Sequence, residues 1–186
     1  DRMHEFGHLE TLIQQAHPEK ELVVRNLSWA ADEIDLQPRP ANFADSEQHL
    51  TAMRADVVLA AFGYNESFAG KEGLPAFRNR LTKYLEGVKA KAYNGKVAAR
   101  VVLVSPIANE NVKGVAAADR NNVNIKAYME AMKEVATEQK VGFVDAFTAT
   151  KKAMASPGND LTMNGAHLNE KGYQLFASTV FNQLFG

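Results

Sequence analysis

Asp56-Val-Val-Leu-Ala-Ala-Phe-Gly63-Tyr-Asn-Glu-Ser67 is the stretch on which the fold turns. Its apolar residues, Val57 to Phe62, run without alternation, so a strand built from them has both faces covered. Strands of that kind belong to parallel sheets enclosed by helices. Gly63 ends the run and leaves the backbone free to turn into a polar loop.

Working outward, Leu74 to Ala92 reads as a helix with Phe77, Leu81, Tyr84, Leu85 and Val88 on one stripe, stopped at Asn94-Gly95. Ala99–Ser105 is a second strand, ended by Pro106. A helix is predicted from Asp119, as N-cap, to Gln139, with Ile125, Tyr128, Met132 and Val135 inward. Val141–Asp145 is a short strand, and a final helix starts near Glu170. On the other side, Phe6–Ala16 is helical, and Glu21–Asn26 has the length and β-branched content of a buried strand. Leu27–Ser46, with Pro38 and Pro40, is a long irregular loop. Strands alternating with helices imply right-handed crossovers, hence an α/β fold: a three-layer α/β/α sandwich with a mainly parallel sheet. Chemistry in such folds lies beyond the carboxyl ends of the strands. The segments to examine are therefore Leu27–Ser46, Gly63–Gly73, Ser105–Ala118 and the loop before the last helix.

Composition narrows the function. The 186 residues suit a single domain, with 46% hydrophobic and 23% charged residues and a net charge of -1. Scattered basic residues and a near-neutral balance argue against nucleic-acid binding. The absence of cysteine removes disulfides, thiol catalysis and cysteine-ligated zinc. No apolar run approaches the ~20 residues of a membrane-spanning helix. His4 and His8 stand one helical turn apart without a matching carboxylate, a weak metal signal, and no phosphate-cradling glycine pattern occurs. Neither a metal nor another cofactor is expected. The oligomeric state is not legible.

Two polar segments carry chemistry. In Gly63-Tyr64-Asn65-Glu66, the Asn65 amide can donate into the cleft and hold the oxyanion of a tetrahedral intermediate, a contribution of ~3 kcal/mol; alternatively it only stabilises its own turn. In Asn164-Gly-Ala-His167, His167 precedes an amphipathic helix, as a general base or as a surface or capping residue. Trp29, in the long loop, is a packing plug or a substrate wall.

Together these residues resemble the SGNH/GDSL hydrolase superfamily. Gly63-Tyr64-Asn65-Glu66 looks like its asparagine block. Asn164-Gly165-Ala166-His167, with Asn169 and Gly172-Tyr173 after it, looks like its histidine block. Asn26-Leu-Ser-Trp-Ala-Ala31-Asp32 resembles its oxyanion-glycine block. The resemblance spans nearly the whole chain and implies a flavodoxin-like architecture. It implies His167 as base, Asn65 and the Ala31 backbone N–H as oxyanion donors, Asn164 as the orienter of His167, and Glu66, Trp29 and Tyr64 at the substrate. The implied substrate is a small-molecule or carbohydrate ester, and an extracellular or periplasmic location is favoured.

Three departures qualify that picture. The family's Gly-Asp-Ser block is absent, and none of Ser28, Ser46, Ser67, Ser105, Ser156 or Ser178 lies in such a context. The first strand and the nucleophile are expected upstream of residue 1, in a slot internal to the sheet. Ala31 replaces the oxyanion glycine. Asn164 replaces the usual aspartate, a change that costs ~10⁴ in turnover in a serine protease, chiefly by favouring the wrong tautomer. Asp160 is a conceivable substitute. The expected function is an ester hydrolase removing a small acyl group. The alternative is a catalytically impaired relative that binds glycan or peptide.

Overall fold

The computed structural model describes residues 2–186. Three strands, β1 (Val57–Ala61), β2 (Arg100–Val104) and β3 (Gly142–Val144), form a parallel sheet in that order among the described residues. Leu59 pairs with Val102 and Leu103 with Phe143. The helices are α1 (His8–Ala16), α2 (Ser46–Ala52), α3 (Leu74–Lys89), α4 (Ala118–Gln139), α5 (Ala146–Met154) and α6 (Glu170–Phe185). None is long and apolar enough to cross a membrane.

Side-chain alternation sorts the strands between two cores. Val58, Ala60, Val101 and Leu103 face Phe77, Leu81 and Leu85 of α3 and Tyr128, Met132 and Val135 of α4. Val104 and Val144 face the opposite way, toward Leu9 of α1 and Ala177 and Val180 of α6. The expected helix–sheet–helix layering is the observed one. Phe77, Leu81 and Leu85 are fully buried, and burial of each stabilises by ~1.5–3 kcal/mol.

The covering is uneven. On β1, Val58 and Ala60 are buried while Val57, Leu59 and Ala61 are exposed. Val57 keeps 47% and Leu59 38% of its surface, and β1 has a strand neighbour on one side only.

Two expectations are corrected, and one helix lies where none was expected. Glu21–Asn26 is extended but joins no ladder, and Val23 is 71% exposed. A β-branched run becomes a strand only when it pairs with another edge, and among the described residues it pairs with none. Asp119 does not cap α4: it sits in the first turn, where its charge suits the helix dipole, and the Ala118 N–H donates to the side chain of Asn111 instead. Helix α5 was not foreseen. It lacks a long apolar stripe and is set by its ends, with Asp145 accepting from the Thr148 N–H and Ser105 Oγ accepting from Ala146 and Phe147.

Candidate active site

The loop before α6 carries His167 on a short, heavily bonded turn. The Met163 N–H donates to the His167 carbonyl at 2.8 Å, Asn169 caps α6 through the Gly172 N–H, and the Asn169 amide donates to the Asp160 carbonyl. His167 is exposed, with Nδ1 3.1 Å from Asn164 Oδ1. That amide oxygen also accepts from the backbone N–H groups of Ala166 and His167, at 3.2 and 3.0 Å. Turning the amide over would point its NH₂ at both donors, so the oxygen is held toward the ring. An oxygen can only accept, so His167 must carry its proton on Nδ1, leaving Nε2 as the basic nitrogen. Asn164 thus selects the tautomer a general base needs, and what it lacks relative to aspartate is charge alone. Its position is taken by no other group: the partner of the ring is Asn164, not Asp160.

The second arm follows β1. Gly63 has φ +99°, and a Cβ there would meet Met132, Pro106 and Phe77 at 3.1–3.4 Å. Beyond it, Asn65 begins a short 3-10 turn, Glu66–Ala69, without capping that turn with its side chain. Among the described residues the half-buried Asn65 amide makes no side-chain hydrogen bond, so it does not cap its own turn. Glu66 is buried at 3% exposure. Its two oxygens accept from the Gly63 N–H at 2.8 Å and the Ile34 N–H at 3.1 Å. Burial raises its pKa, against the lowering pull of those N–H donors. Both Glu66 oxygens are thereby engaged in holding the loop rather than left open toward a substrate.

Through Ile34, Glu66 fixes the loop that contains Ala31. The Asp32 N–H donates to the Trp29 carbonyl across a turn in which Ala31 has φ +65°. This is the left-handed region where a glycine would sit without strain. Among the described residues the Ala31 N–H donates to no other group. Arg39 grips both Asp32 oxygens, at 2.8 and 2.6 Å, and stacks 4.5 Å above Trp29. Trp29 also meets Phe43 edge-on, and with Arg39, Phe43 and His49 it lines a cavity of about 220 Å³. Trp29 therefore packs the loop while remaining 45% exposed.

Sequence reasoning flagged Ser105–Ala118 without nominating a residue, and the structure places a buried polar junction there. Asn109, 7% exposed, accepts from the Tyr64 hydroxyl at 3.2 Å and donates to the Gly165 carbonyl at 2.5 Å. Burial raises the Tyr64 pKa, keeping the hydroxyl a donor. Glu110, equally buried, accepts from the Leu161 and Thr162 N–H groups and the Thr162 hydroxyl, and its own N–H donates to Gly165. Gly165 has φ +89°, and a Cβ there would lie 2.7 Å from the Glu110 carbonyl. Only glycine fits so close an approach.

Serine hydroxyls are spent elsewhere: Ser28 on Asn26, Ser46 on Gln37, Ser67 on Tyr64 and Ser105 on Pro106. No group of three or more histidine or acidic residues able to hold a metal occurs among the described residues.

The sequence profile of the GDSL-like lipase/acylhydrolase family matches residues 4–175. Among solved structures, an acetylxylan esterase from Geobacillus stearothermophilus aligns over 96% of this chain and 79% of its own, with TM-score 0.72 and 18% identity. A mutant of an acetyl-xylooligosaccharide esterase from Geobacillus gives TM-score 0.74 at 19% identity, over 96% of this chain and 79% of that one. A lipase/acylhydrolase from Enterococcus faecalis covers 96% of this chain and 85% of its own, with TM-score 0.63 and 18% identity. At these identities the likeness is one of fold. A comparison with curated protein sequences finds no match.

Proposed function

The chain belongs to the GDSL-like lipase/acylhydrolase family of ester hydrolases, and from that premise we propose that it removes a small acyl group, acetyl from a carbohydrate being the favoured case, by serine-type acyl transfer. The observation that carries the mechanism is the Asn164–His167 pair, whose geometry leaves Nε2 free to take a proton. His167 accepts the proton of the attacking hydroxyl and returns it to the leaving alcohol. The unbonded Asn65 amide and the Ala31 N–H hold the oxyanion of the tetrahedral intermediate.

The nucleophile in this reading is a serine at the end of a strand that pairs with the free side of β1. Support comes from the apolar but exposed Val57, Leu59 and Ala61, which such a strand and its connection would cover. A parallel neighbour of β1 would end beside Gly63, next to Asn65. Acetylated sugar as substrate is favoured by the acetylxylan esterases that share the fold and by the exposed ring of Trp29, against which a sugar face can stack.

The test is turnover of p-nitrophenyl acetate and of acetylated xylo-oligosaccharides by the full-length protein and by His167→Ala. Loss of turnover in the variant, by about 10²–10⁴-fold, supports the reading. A wild-type rate no faster than that of His167→Ala would overturn it and leave a binding protein on an esterase fold.

A further inference from the structure

We propose that Asn109 is a positioning residue that sets the spacing between the oxyanion loop and the base loop. The inference rests on the catalytic reading of Asn65 and His167. Asn109 lies on neither loop, and its side chain touches both. Its Oδ1 accepts from the hydroxyl of Tyr64, the residue before Asn65, and its Nδ2 donates to the carbonyl of Gly165, two residues before His167.

The residue is itself immobilised. Asn121 Nδ2 donates to the same Oδ1 at 2.6 Å, the Asn109 N–H donates to Asn122 Oδ1 at 2.7 Å, and Asn122 Nδ2 donates to the Asn109 carbonyl at 2.9 Å. Both asparagines belong to the first turns of α4, which is packed on the sheet through Ile125, Tyr128 and Met132. Position is therefore transmitted from a helix packed on the core, through one buried amide, to the two loops that carry Asn65 and His167. Glu110 extends the hold by clamping Leu161 and Thr162, the start of the base loop. An amide is required at 109 because one group must accept on one side and donate on the other. Asparagine does both in the same plane.

The chemistry explains why so much buried polarity is spent here. Acyl transfer needs the base and the oxyanion donors in a fixed relation, and a misplacement of ~1 Å can cost ~10²-fold in rate. His167 is exposed and Asn65 half-buried, and both stand on irregular segments rather than on a strand.

Asn109→Asp is the discriminating variant. It is isosteric and keeps the bonds from Tyr64 and Asn121, but it sets a carboxylate oxygen against the Gly165 carbonyl. Glu110→Gln, which turns an NH₂ toward backbone donors, is a second and milder break in the same loop. Thr150→Val is the control: Thr150 accepts from the Ala108 N–H one residue away and touches neither loop. In the full-length protein, Asn109→Asp is expected to lower kcat by about 10- to 100-fold with KM within about twofold. Long-range ¹H–¹⁵N spectra of His167 should change from one Nδ1–H tautomer to a mixture. Thr150→Val, matched for loss of stability, should leave both readouts at wild type. An unchanged kcat together with an unchanged His167 spectrum in Asn109→Asp overturns the inference, as does an equal loss in Thr150→Val. If His167→Ala retains full turnover, the catalytic reading fails separately, and the spectrum alone still decides whether Asn109 governs the base loop.

Discussion

The two arms of the site are built by the same device and differ in what the device has to hold. Each relies on a buried glutamate that accepts from the backbone of a distant segment: Glu66 from Ile34 in the proposed oxyanion arm, Glu110 from Leu161 and Thr162 in the proposed base arm. The base arm is compact, with a tautomer-selecting asparagine and a glycine where the backbone demands one. The oxyanion arm reaches its second donor across a long loop, through Ile34, to an alanine in a left-handed conformation. A buried carboxylate can replace a short connection in joining remote segments, and here the oxyanion-side loop keeps a positive φ at Ala31.

Removing Asn65, the proposed oxyanion donor, should produce the largest effect. Asn65→Ala is expected to lower kcat by about 10²–10³-fold with little change in KM or thermal stability, because the amide has no structural bond to lose. A variant that loses stability instead would return Asn65 to a turn-forming role.

The strength of the oxyanion-side clamp is read from Glu66→Gln. Both oxygens face N–H donors, so one amide end must clash, and a loss of about 1–3 kcal/mol in urea unfolding is expected. Burial raises the Glu66 pKa, so the folded chain binds that proton more tightly than the unfolded one. The sign follows: wild type loses stability as pH rises from the ordinary carboxylate range through the raised folded value. Glu66→Gln should lack that slope.

On the base arm, Asn164→Asp restores the charge without altering the tautomer. The acid limb of the pH–rate profile should move upward by about one pH unit, with at most a modest rise in plateau rate. A gain near 10⁴-fold would mean that Asn164 does not hold the imidazole as its geometry indicates.

The smallest expected effect probes strain at the far end of the oxyanion arm. Ala31→Gly relieves a positive φ but adds freedom to the unfolded chain, so the net gain in stability should be about 0.5 kcal/mol. Differential scanning calorimetry would resolve it, and a destabilised variant would count against strain at Ala31.

What the sequence made legible follows from the range of the forces involved. Val57–Ala61 and Arg100–Val104 declare themselves by local composition, and His167 and Asn65 by short motifs beside turns. The glutamate clamps are invisible at that range, since Glu110 meets Leu161 and Glu66 meets Ile34 only after the chain has folded. Glu21–Asn26 shows the converse error, because its composition favours a strand while strandhood depends on a neighbour. One clue to the junction was available: Asn109-Glu110 and Asn121-Asn122 place four polar residues at the end of a strand connection and the start of a buried helix.

The open flank of β1 has a consequence for handling and for assembly. Unpaired backbone groups beside exposed Val57 and Leu59 form a template that accepts any extended peptide, including another copy of itself. A strand seated there would compete against self-association, so solubility and the time spent with that flank bare would be coupled. Concentration-dependent turbidity, suppressed by a charged substitution at Leu59, would be the visible sign of a sheet searching for its neighbour.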